Sequence, residues 1–270
     1  MNRLNSLNEI ASNYDGILFD IYGVIHNGVA CFPGSVACLQ ALHDAKIPCG
    51  FLSNMPRRAE KVSEALIRFG MPEALAVGAL TSGEAVFRAL SAPGFGRRYY
   101  FQGPERTREI VPEGYQPVTD ISEADFVLVT GIGDDETPAD YTDLLETALA
   151  RNLPMICGNP DLRVGHGSRL IACAGLLVDA YEQMGGDARW MGKPHISVFE
   201  MAKTMLGGEN LLMVGDSLRT DIAGAQGAGL DTVFIESGIH KADFENGGTD
   251  LYSQYDIHPT YTLNRLVWSA

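Results

Sequence analysis

Short apolar runs alternate with longer amphipathic stretches along most of this 270-residue chain, and this alternation restricts its fold more than any other feature. Runs such as Gly16–Asp20 and Leu211–Gly215 have the length and composition of buried strands. The stretches between them carry apolar residues at the helical period. Strands that alternate with helices in this way are typical of strand–helix–strand units. The sequence therefore predicts an α/β fold with a parallel sheet.

A Pro/Gly-rich segment, SAPGFG, interrupts this pattern, and the strands and helices after it follow an order of their own as far as the turn MGGDA. We therefore predict a discontinuous core, residues 1–81 and 184–270, with a smaller α/β domain inserted over residues 82–183. Inside the insert we expect a polar loop over Asn159–Arg169. The short apolar segment Arg189–Met191 is predicted to be a strand of the core.

The charge balance excludes one class of partner. The chain has 20 Lys and Arg against 34 Asp and Glu, a formal net charge of −14 at pH 7, whereas nucleic-acid binding requires a basic surface. Apolar runs such as Phe126–Val129 are far shorter than the roughly 20 residues of a membrane span. The first residues also lack the apolar segment of a secretory signal. We expect a cytoplasmic protein that binds neither nucleic acid nor membrane.

Four segments place polar side chains directly after a predicted strand. Because the carboxyl ends of parallel strands meet at one edge of an open α/β sheet, we expect these side chains to converge there. They comprise three carboxylates, a hydroxyl, an amide and a lysine: Asp20; Ser53 and Asn54; Lys193; Asp216 and Asp221.

This set of groups suits phosphoryl transfer. Neighbouring carboxylates repel each other, and a hard divalent cation with oxygen ligands, most simply Mg²⁺, relieves that repulsion. The cation and Lys193 would together neutralise a phosphate dianion. The hydroxyl of Ser53 and nearby backbone amides would hold the phosphate oxygens. A carboxylate held against the phosphorus can attack it as a nucleophile. The residues therefore indicate magnesium-dependent phosphate chemistry.

The order of these motifs, an apolar strand with DIYG, then SN, then GKP, then GDSLRTD, resembles the haloacid dehalogenase superfamily. Asp20 and Ser53 are 33 positions apart, too few for a helical cap between them. The 140 positions between Ser53 and Lys193 hold an α/β insert, as in the class IIA branch of p-nitrophenyl-phosphatase-like and sugar-phosphatase-like enzymes. The segments LSNMP, TSGEA and GNPD also resemble that branch.

The resemblance implies a Rossmann-like parallel-sheet core with an inserted α/β cap domain. It implies a phosphatase that acts on a small phosphorylated metabolite through an aspartyl-phosphate intermediate. Cap-mediated dimers occur in this branch, so the resemblance also allows a homodimer.

The resemblance assigns the metal site to three residues. Asp20 would be both the nucleophile and a metal ligand, Asp216 the second ligand, and the backbone carbonyl of Tyr22 the third. Asp221 would lie behind these ligands and steady Lys193 or a water molecule.

The same resemblance assigns the phosphate contacts. Ser53, Asn54 and Lys193 would hold the transferring phosphate. In the insert, the loop after GNPD occupies the place where this branch lowers a specificity loop onto the active site. Arg163 and His166 in that loop are the candidate substrate contacts.

Tyr22 is a departure from the family pattern. The family's phosphatases have at this position a second Asp, which protonates the leaving oxygen and later deprotonates the attacking water. The phenol of Tyr22 and the imidazole of His26 are the two candidates to replace it. We expect low turnover, because the usual acid–base group is missing.

Two alternatives to a phosphatase follow from Tyr22. One is a non-catalytic or regulatory protein that binds a phosphorylated ligand and has lost turnover. The other is a haloacid dehalogenase, since those enzymes read D-x-Y-G. Dehalogenases have a helical cap and need no metal, whereas this chain keeps Asp216 and Asp221, so we favour the phosphatase.

Overall fold

Strands and helices alternate along residues 2–166, 169–245 and 251–269, which are the residues that the computed structural model describes. The strands are β1 (Asn2–Arg3), β2 (Gly16–Phe19), β3 (Cys49–Ser53), β4 (Ala79–Thr81), β5 (Arg98–Gln102), β6 (Gln116–Val118), β7 (Phe126–Val129), β8 (Met155–Cys157), β9 (Arg163–His166), β10 (Arg169–Ala172), β11 (Ala188–Trp190), β12 (Leu211–Gly215), β13 (Asp231–Ile235) and β14 (Tyr261–Leu263). The α-helices are α1 (Pro33–Asp44), α2 (Ala59–Arg68), α3 (Ser82–Ser91), α4 (Thr142–Ala150), α5 (Ala174–Gln183), α6 (Ile196–Leu206), α7 (Ala223–Gly227), α8 (Lys241–Glu245) and α9 (Leu251–Tyr255). Within those residues, no helix combines the length and the apolar character that crossing a lipid bilayer demands.

The first of two compact units comprises Met1–Ser53, Ala59–Leu80 and Lys193–Ala270. Its sheet has the order β1-β14-β13-β12-β2-β3-β4, and β2 pairs in parallel with both β12 and β3. From β2 the chain proceeds to one edge through β3 and β4, and from β12 it proceeds to the other edge through β13 and β14. The strand order therefore reverses between β2 and β12, the position at which open α/β sheets bind ligands.

The two strands at this switch point are buried along their whole length. Their sequences, GILF and LLMVG, are continuous apolar runs rather than alternating ones, as expected for parallel strands covered on both faces. Helix α2 is amphipathic and buries Val62 and Leu66. Helix α6 ends where Gly207 adopts a left-handed conformation, with φ of 73°.

The second unit comprises Asn54–Arg58 and Thr81–Gly192. Its five-stranded sheet has the order β11-β8-β7-β5-β6, and each of these pairings is parallel. Strands β9 and β10 form a separate antiparallel hairpin. Helices α4 and α5 contribute to one core cluster of this unit. There the buried Tyr181 hydroxyl donates to the carbonyl of Leu153 at 2.7 Å.

The predicted fold class, a parallel-sheet α/β protein with a Rossmann-like core, is confirmed. Two local expectations differ from the structure. The segment expected to be a polar loop, Asn159–Arg169, includes strand β9. The strand assigned to the core at Arg189–Met191 is β11, which pairs with β8 of the second unit, so that unit extends to Gly192. A three-residue strand contains no information about which sheet it joins, because that depends on the partner strand.

We expect Leu128→Ala to lower the free energy of unfolding by about 2–5 kcal/mol, because it leaves a cavity in a fully buried strand. Met184→Ala, in the same unit and 41% exposed, should change it by less than about 1 kcal/mol. Urea denaturation followed by circular dichroism measures both values. Equal losses in the two variants would contradict this description of the core.

Candidate active site

Three carboxylates meet at the switch point of the seven-stranded sheet. Asp20 directly follows β2, and Asp216 directly follows the neighbouring strand β12. Asp221 lies in a π-helical turn, Leu218–Ile222, that begins shortly after β12. One carboxylate oxygen from each of the three residues lies within 4.8 Å of the others. The two strand ends and the turn therefore form a single acidic cluster.

Lys193 is buried among these carboxylates. Its side chain is 2% exposed. Its ammonium donates to Asp20 Oδ1 at 2.5 Å and to the carbonyl of Leu52 at 2.7 Å, and it lies 2.7 Å from Asp221 Oδ1. Lys193 thus joins the ends of β2 and β3 to the turn after β12.

Backbone amides fix two of the carboxylates. The amides of Asp216 and Ser217 donate to Asp221 Oδ2 at 3.1 and 3.0 Å. The amide of Ile239 donates to Asp216 Oδ2 at 2.8 Å. Asp221 therefore contacts the Lys193 ammonium through Oδ1 and two backbone amides through Oδ2.

Burial and charge repulsion dominate the protonation of the cluster. Burial raises the pKa of Asp20 to about 7, although the Lys193 ammonium acts in the opposite direction. Burial and the charges of Asp20 and Asp221 raise the pKa of Asp216 well above its usual range. Burial disfavours the charged form of Lys193, but Asp20 and Asp221 outweigh it and raise the lysine pKa. One ammonium therefore does not balance three ionised carboxylates.

The donor set fits a hard divalent cation. The buried carboxylates of Asp216 and Asp221 and the partly buried one of Asp20 face one ammonium, which leaves an excess of negative charge that is costly without further compensation. Carboxylate and carbonyl oxygens are the ligands that Mg²⁺ prefers. Asp20 and Asp216 are the carboxylates that would hold it, because Asp221 Oδ2 accepts two amides and Asp221 Oδ1 faces the Lys193 ammonium at 2.7 Å. The backbone carbonyl of Tyr22 stays a prediction from the sequence.

Ser53 and Asn54 lie on either side of the boundary between the two units. Ser53 ends β3, is 8% exposed, and belongs to the first unit. Asn54 belongs to the second unit, where its side-chain amide donates to Asp161 Oδ1 at 2.9 Å. The Ser82 hydroxyl is placed to donate to the carbonyls of Asn54 and Gly158, at 2.8 and 2.6 Å. Within the second unit, hydrogen bonds therefore join Asn54 to the segments TSGEA and GNPD.

The two candidate substrate contacts of the insert are on the hairpin of the second unit. Arg163 and His166 are the first and last residues of β9. The side chain of Arg163 is exposed. The side chain of His166 lies outside the described part of the structure.

Tyr22 and His26 have different environments. Tyr22 is 45% exposed, and its ring lies edge-on to the His26 ring at 5.7 Å. His26 is buried against Phe69, and its Nδ1 accepts the amide hydrogen of Gly28 at 2.9 Å. Burial lowers the pKa of His26 to about 4. An uncharged imidazole with one nitrogen already bonded to backbone supports the ring of Tyr22, and these contacts favour a structural role for His26.

Ser217, Gly238 and Ile239 contact the acidic cluster and are not among the sequence-based candidate residues. Ser217 and Gly23 belong to the GDSLRTD and DIYG motifs. Gly23 and Gly238 approach the Asp216 carboxylate closely, and Ile239 contributes its backbone amide. A backbone amide is common to all residues except proline, so the identity of Ile239 contains no signal of this contact. The glycines are a weak signal, since many glycines only form turns.

The fold and the site together define an α/β protein with a carboxylate cluster and a buried lysine at its switch point. Residues 17–114 match the haloacid dehalogenase-like hydrolase family, and residues 190–268 match a second family described as HAD-hydrolase-like. A solved structure of a haloacid dehalogenase-like hydrolase from Brucella suis 1330 has 35% sequence identity and a TM-score of 0.83, with 98% of this chain and 100% of that chain covered. This chain belongs to the haloacid dehalogenase-like hydrolase family.

Two further relatives have names that indicate an activity. The 5'-nucleotidase YutF of Bacillus subtilis is 27% identical over 234 residues, 85% of this chain and 90% of that protein. The solved structure of a glycerol phosphate phosphatase from Mycobacterium tuberculosis in complex with magnesium is 27% identical, with a TM-score of 0.71, 94% of this chain covered and 75% of that chain. The predicted resemblance to the class IIA branch is confirmed.

His26 predicts a specific pH dependence of stability. The unfolded histidine has a pKa near 6.5 and the folded one near 4, so between these values the unfolded chain binds one more proton. His26 therefore makes no pH-dependent contribution above about pH 6.5, and below it the free energy of unfolding falls by up to about 1.4 kcal/mol per pH unit until about pH 4. Urea denaturation at several pH values measures this slope.

The matched variants are His26→Gln and, at an exposed position, His43→Gln. Asp20 and Asp216, whose pKa values are raised in the folded protein, contribute to the slope with the opposite sign, so each variant is compared with the wild type. From pH 4 to 6.5 the slope of unfolding free energy against pH should be lower in His26→Gln by up to about 1.4 kcal/mol per pH unit, and unchanged in His43→Gln. An unchanged slope in His26→Gln would show that His26 is not held uncharged in the folded protein.

Proposed function

We propose that this protein is a magnesium-dependent phosphohydrolase that acts on a small phosphomonoester through an aspartyl-phosphate intermediate. The observation that carries the proposal is the cluster of Asp20, Asp216, Asp221 and Lys193 at the sheet's switch point, in which all but the partly buried Asp20 are buried. A site for a neutral ligand would not need three adjacent carboxylates of this kind. The names of the curated relatives, which include a 5'-nucleotidase and a D-glycerol 3-phosphate phosphatase, support the class of substrate.

In the proposed reaction Asp20 is the nucleophile. A carboxylate oxygen of Asp20 forms a bond to phosphorus as the bond from phosphorus to the leaving oxygen breaks, which produces an aspartyl phosphate. Water then attacks the same phosphorus, releases inorganic phosphate and restores the carboxylate. Lys193, whose ammonium is 2.5 Å from Asp20 Oδ1, would bind the phosphate oxygens during this step.

Other groups of the first unit support this chemistry. Asp221 holds Lys193 in place through its ion pair at 2.7 Å. Ser53 ends the strand whose Leu52 carbonyl accepts from Lys193, so its hydroxyl is the candidate for a further phosphate contact. When bound, Mg²⁺ would neutralise negative charge on the transferring phosphate and on Asp20 and Asp216.

Tyr22 sets the expected rate. Its side chain lacks the carboxylate that accepts a proton from the attacking water in general acid–base catalysis. Attack by water on the aspartyl phosphate needs a base, whereas a good leaving group departs without protonation. The second step should therefore be slow. The cytoplasmic location, the homodimer and the substrate contacts of Asn54, Arg163 and His166 remain predictions from the sequence.

A phosphatase screen with and without Mg²⁺ tests the proposal. Aryl, acyl and alkyl phosphates are incubated with the wild type and with Asp20→Asn. We expect Mg²⁺-dependent hydrolysis of at least one class by the wild type and none by Asp20→Asn. Equal release of phosphate by the two proteins would contradict the proposal. Phosphate binding without turnover would instead support the non-catalytic alternative.

Metal binding should stabilise the folded protein, because the ligands are brought together only in the folded state. At a hundredfold excess of Mg²⁺ over its dissociation constant the expected gain is about 2.7 kcal/mol. Thermal midpoints in EDTA and in Mg²⁺ measure it. Asp216→Asn should reduce the shift, and Asp44→Asn, at an exposed position, should not. Identical midpoints in EDTA and Mg²⁺ for the wild type would refute the metal site.

Tyr22 predicts an initial burst of product equal to the enzyme concentration, followed by slow turnover, with aryl or acyl phosphates preferred over alkyl ones. General acid–base catalysis typically contributes about 100- to 10,000-fold, so Tyr22→Asp should raise alkyl-phosphate turnover. Rapid-quench kinetics with labelled substrate measures the burst and the label on Asp20. Tyr22→Phe is the control, which keeps the ring and removes the hydroxyl. Fast alkyl-phosphate turnover without a burst in the wild type would point to another base, beginning with His26.

A further inference from the structure

The Asp216 carboxylate is enclosed by two glycines from distant parts of the chain. A Cβ atom on Gly23 would lie 2.0 Å from Asp216 Oδ2, and a Cβ on Gly238 would lie 2.1 Å from the same oxygen. Both distances are well below 3.0 Å, and Cβ atoms in proteins essentially never lie that close to a non-bonded heavy atom. Any side chain at either position would therefore have to displace the Asp216 carboxylate or the backbone next to it.

The two glycines differ in backbone conformation. Gly23 has φ of +88°, which side chains rarely adopt, so this position requires glycine for two reasons. Gly238 is not among the glycines with positive φ. A side chain at Gly238 is therefore excluded by its contact with Asp216. The added Cβ would also lie 2.2 Å from the Cβ of Asp216.

Ile239 follows Gly238 and donates its amide to Asp216 Oδ2 at 2.8 Å. A neutral amide orients the carboxylate without cancelling its charge, whereas a lysine or arginine at this point would compete with a metal ion. The close approach of Gly238 is what allows this amide to reach the oxygen.

The segment that carries this amide is fixed by the sheet. The amides of Glu236 and Ser237 donate to the carbonyls of Leu263 and Asn264, at 3.0 and 2.9 Å. The amide of Lys241 donates to the carbonyl of Gly238 at 3.0 Å, which closes a turn. The Ile239 amide is thus held in position by strand β14 and by the turn, independently of Asp216.

We propose that Gly238 and Ile239 form a backbone clamp that positions Asp216 to bind the metal ion, with Gly23 closing the opposite side. This inference rests on the proposed function, because it concerns the same metal site. The clamp residues are positioning residues: they act through Asp216. Their loss should weaken metal binding much more than it weakens the fold.

The experiment measures Mg²⁺ binding to the full-length protein by isothermal titration calorimetry, with thermal midpoints in EDTA to report the fold. Gly238→Ala is compared with Gly227→Ala in the same unit, where the added Cβ meets no atom closer than 3.8 Å. Gly23→Ala is compared with Gly70→Ala, which has a similar φ of +96° but open space around the new Cβ. The first variant of each pair should raise the dissociation constant at least about tenfold, and its control by less than about twofold.

The outcomes separate this inference from the function on which it rests. Wild-type protein that binds no Mg²⁺ overturns both. Wild-type binding with unchanged affinity in Gly238→Ala overturns the clamp and leaves the proposed function standing. Weakened binding in Gly238→Ala but not in Gly227→Ala supports the clamp.

A second variant covers the case in which Gly238→Ala does not fold. In an Asp216→Gly background the carboxylate is absent, so adding Gly238→Ala should cost little further stability. Recovery of a folded protein in this double variant supports direct contact between Gly238 and Asp216. If Asp216→Gly folds alone but the double variant does not, the clash lies elsewhere and the clamp is overturned.

Discussion

The buried ion pairs of Lys193 with Asp20 and Asp221 are the interaction on which the site depends. They join the end of β2, the turn after β12 and the segment at which the chain returns to the first unit. Removing one partner of a buried ion pair leaves an uncompensated charge, which typically costs about 3–5 kcal/mol. The parallel sheet brings these charged groups together. Strands β2 and β12 are neighbours at the switch point, and both are buried, so the side chains that follow them lie close to Lys193.

The same cluster is not neutral, and this imbalance connects structure with chemistry. Asp216 adds a third carboxylate within 4.8 Å, against one ammonium. Repulsion and burial raise the pKa values of Asp20 and Asp216, so the ionised cluster is favourable only with further positive charge. A divalent cation supplies that charge, and a phosphate dianion is then attracted to the cation and Lys193 together. Stability and proposed catalysis therefore depend on the same charge balance.

The fold class and the convergence of Asp20, Lys193, Asp216 and Asp221 could be predicted because both follow from local patterns. Apolar runs identify the strands, and parallel strands bring their carboxyl ends to one edge whatever their distance along the chain. Asn54 could not be placed in the same way. Its amide donates to Asp161, a partner more than a hundred residues away that belongs to the second unit. A position at the end of a strand does not indicate which group the side chain will contact.

The sequence by itself determined the parallel α/β class, the charged residues of the site and the tyrosine two positions after Asp20. Those properties depend on the chemistry of the side chains and on the spacing of apolar residues, and both can be read directly from the sequence. Only the tertiary structure decided that β11 pairs with β8, that His26 is buried with Nδ1 bonded to Gly28, and that the Ile239 amide reaches Asp216. These features depend on backbone groups and on strand partners. Backbone groups are nearly the same in every residue, so their positions are set by packing rather than by residue type.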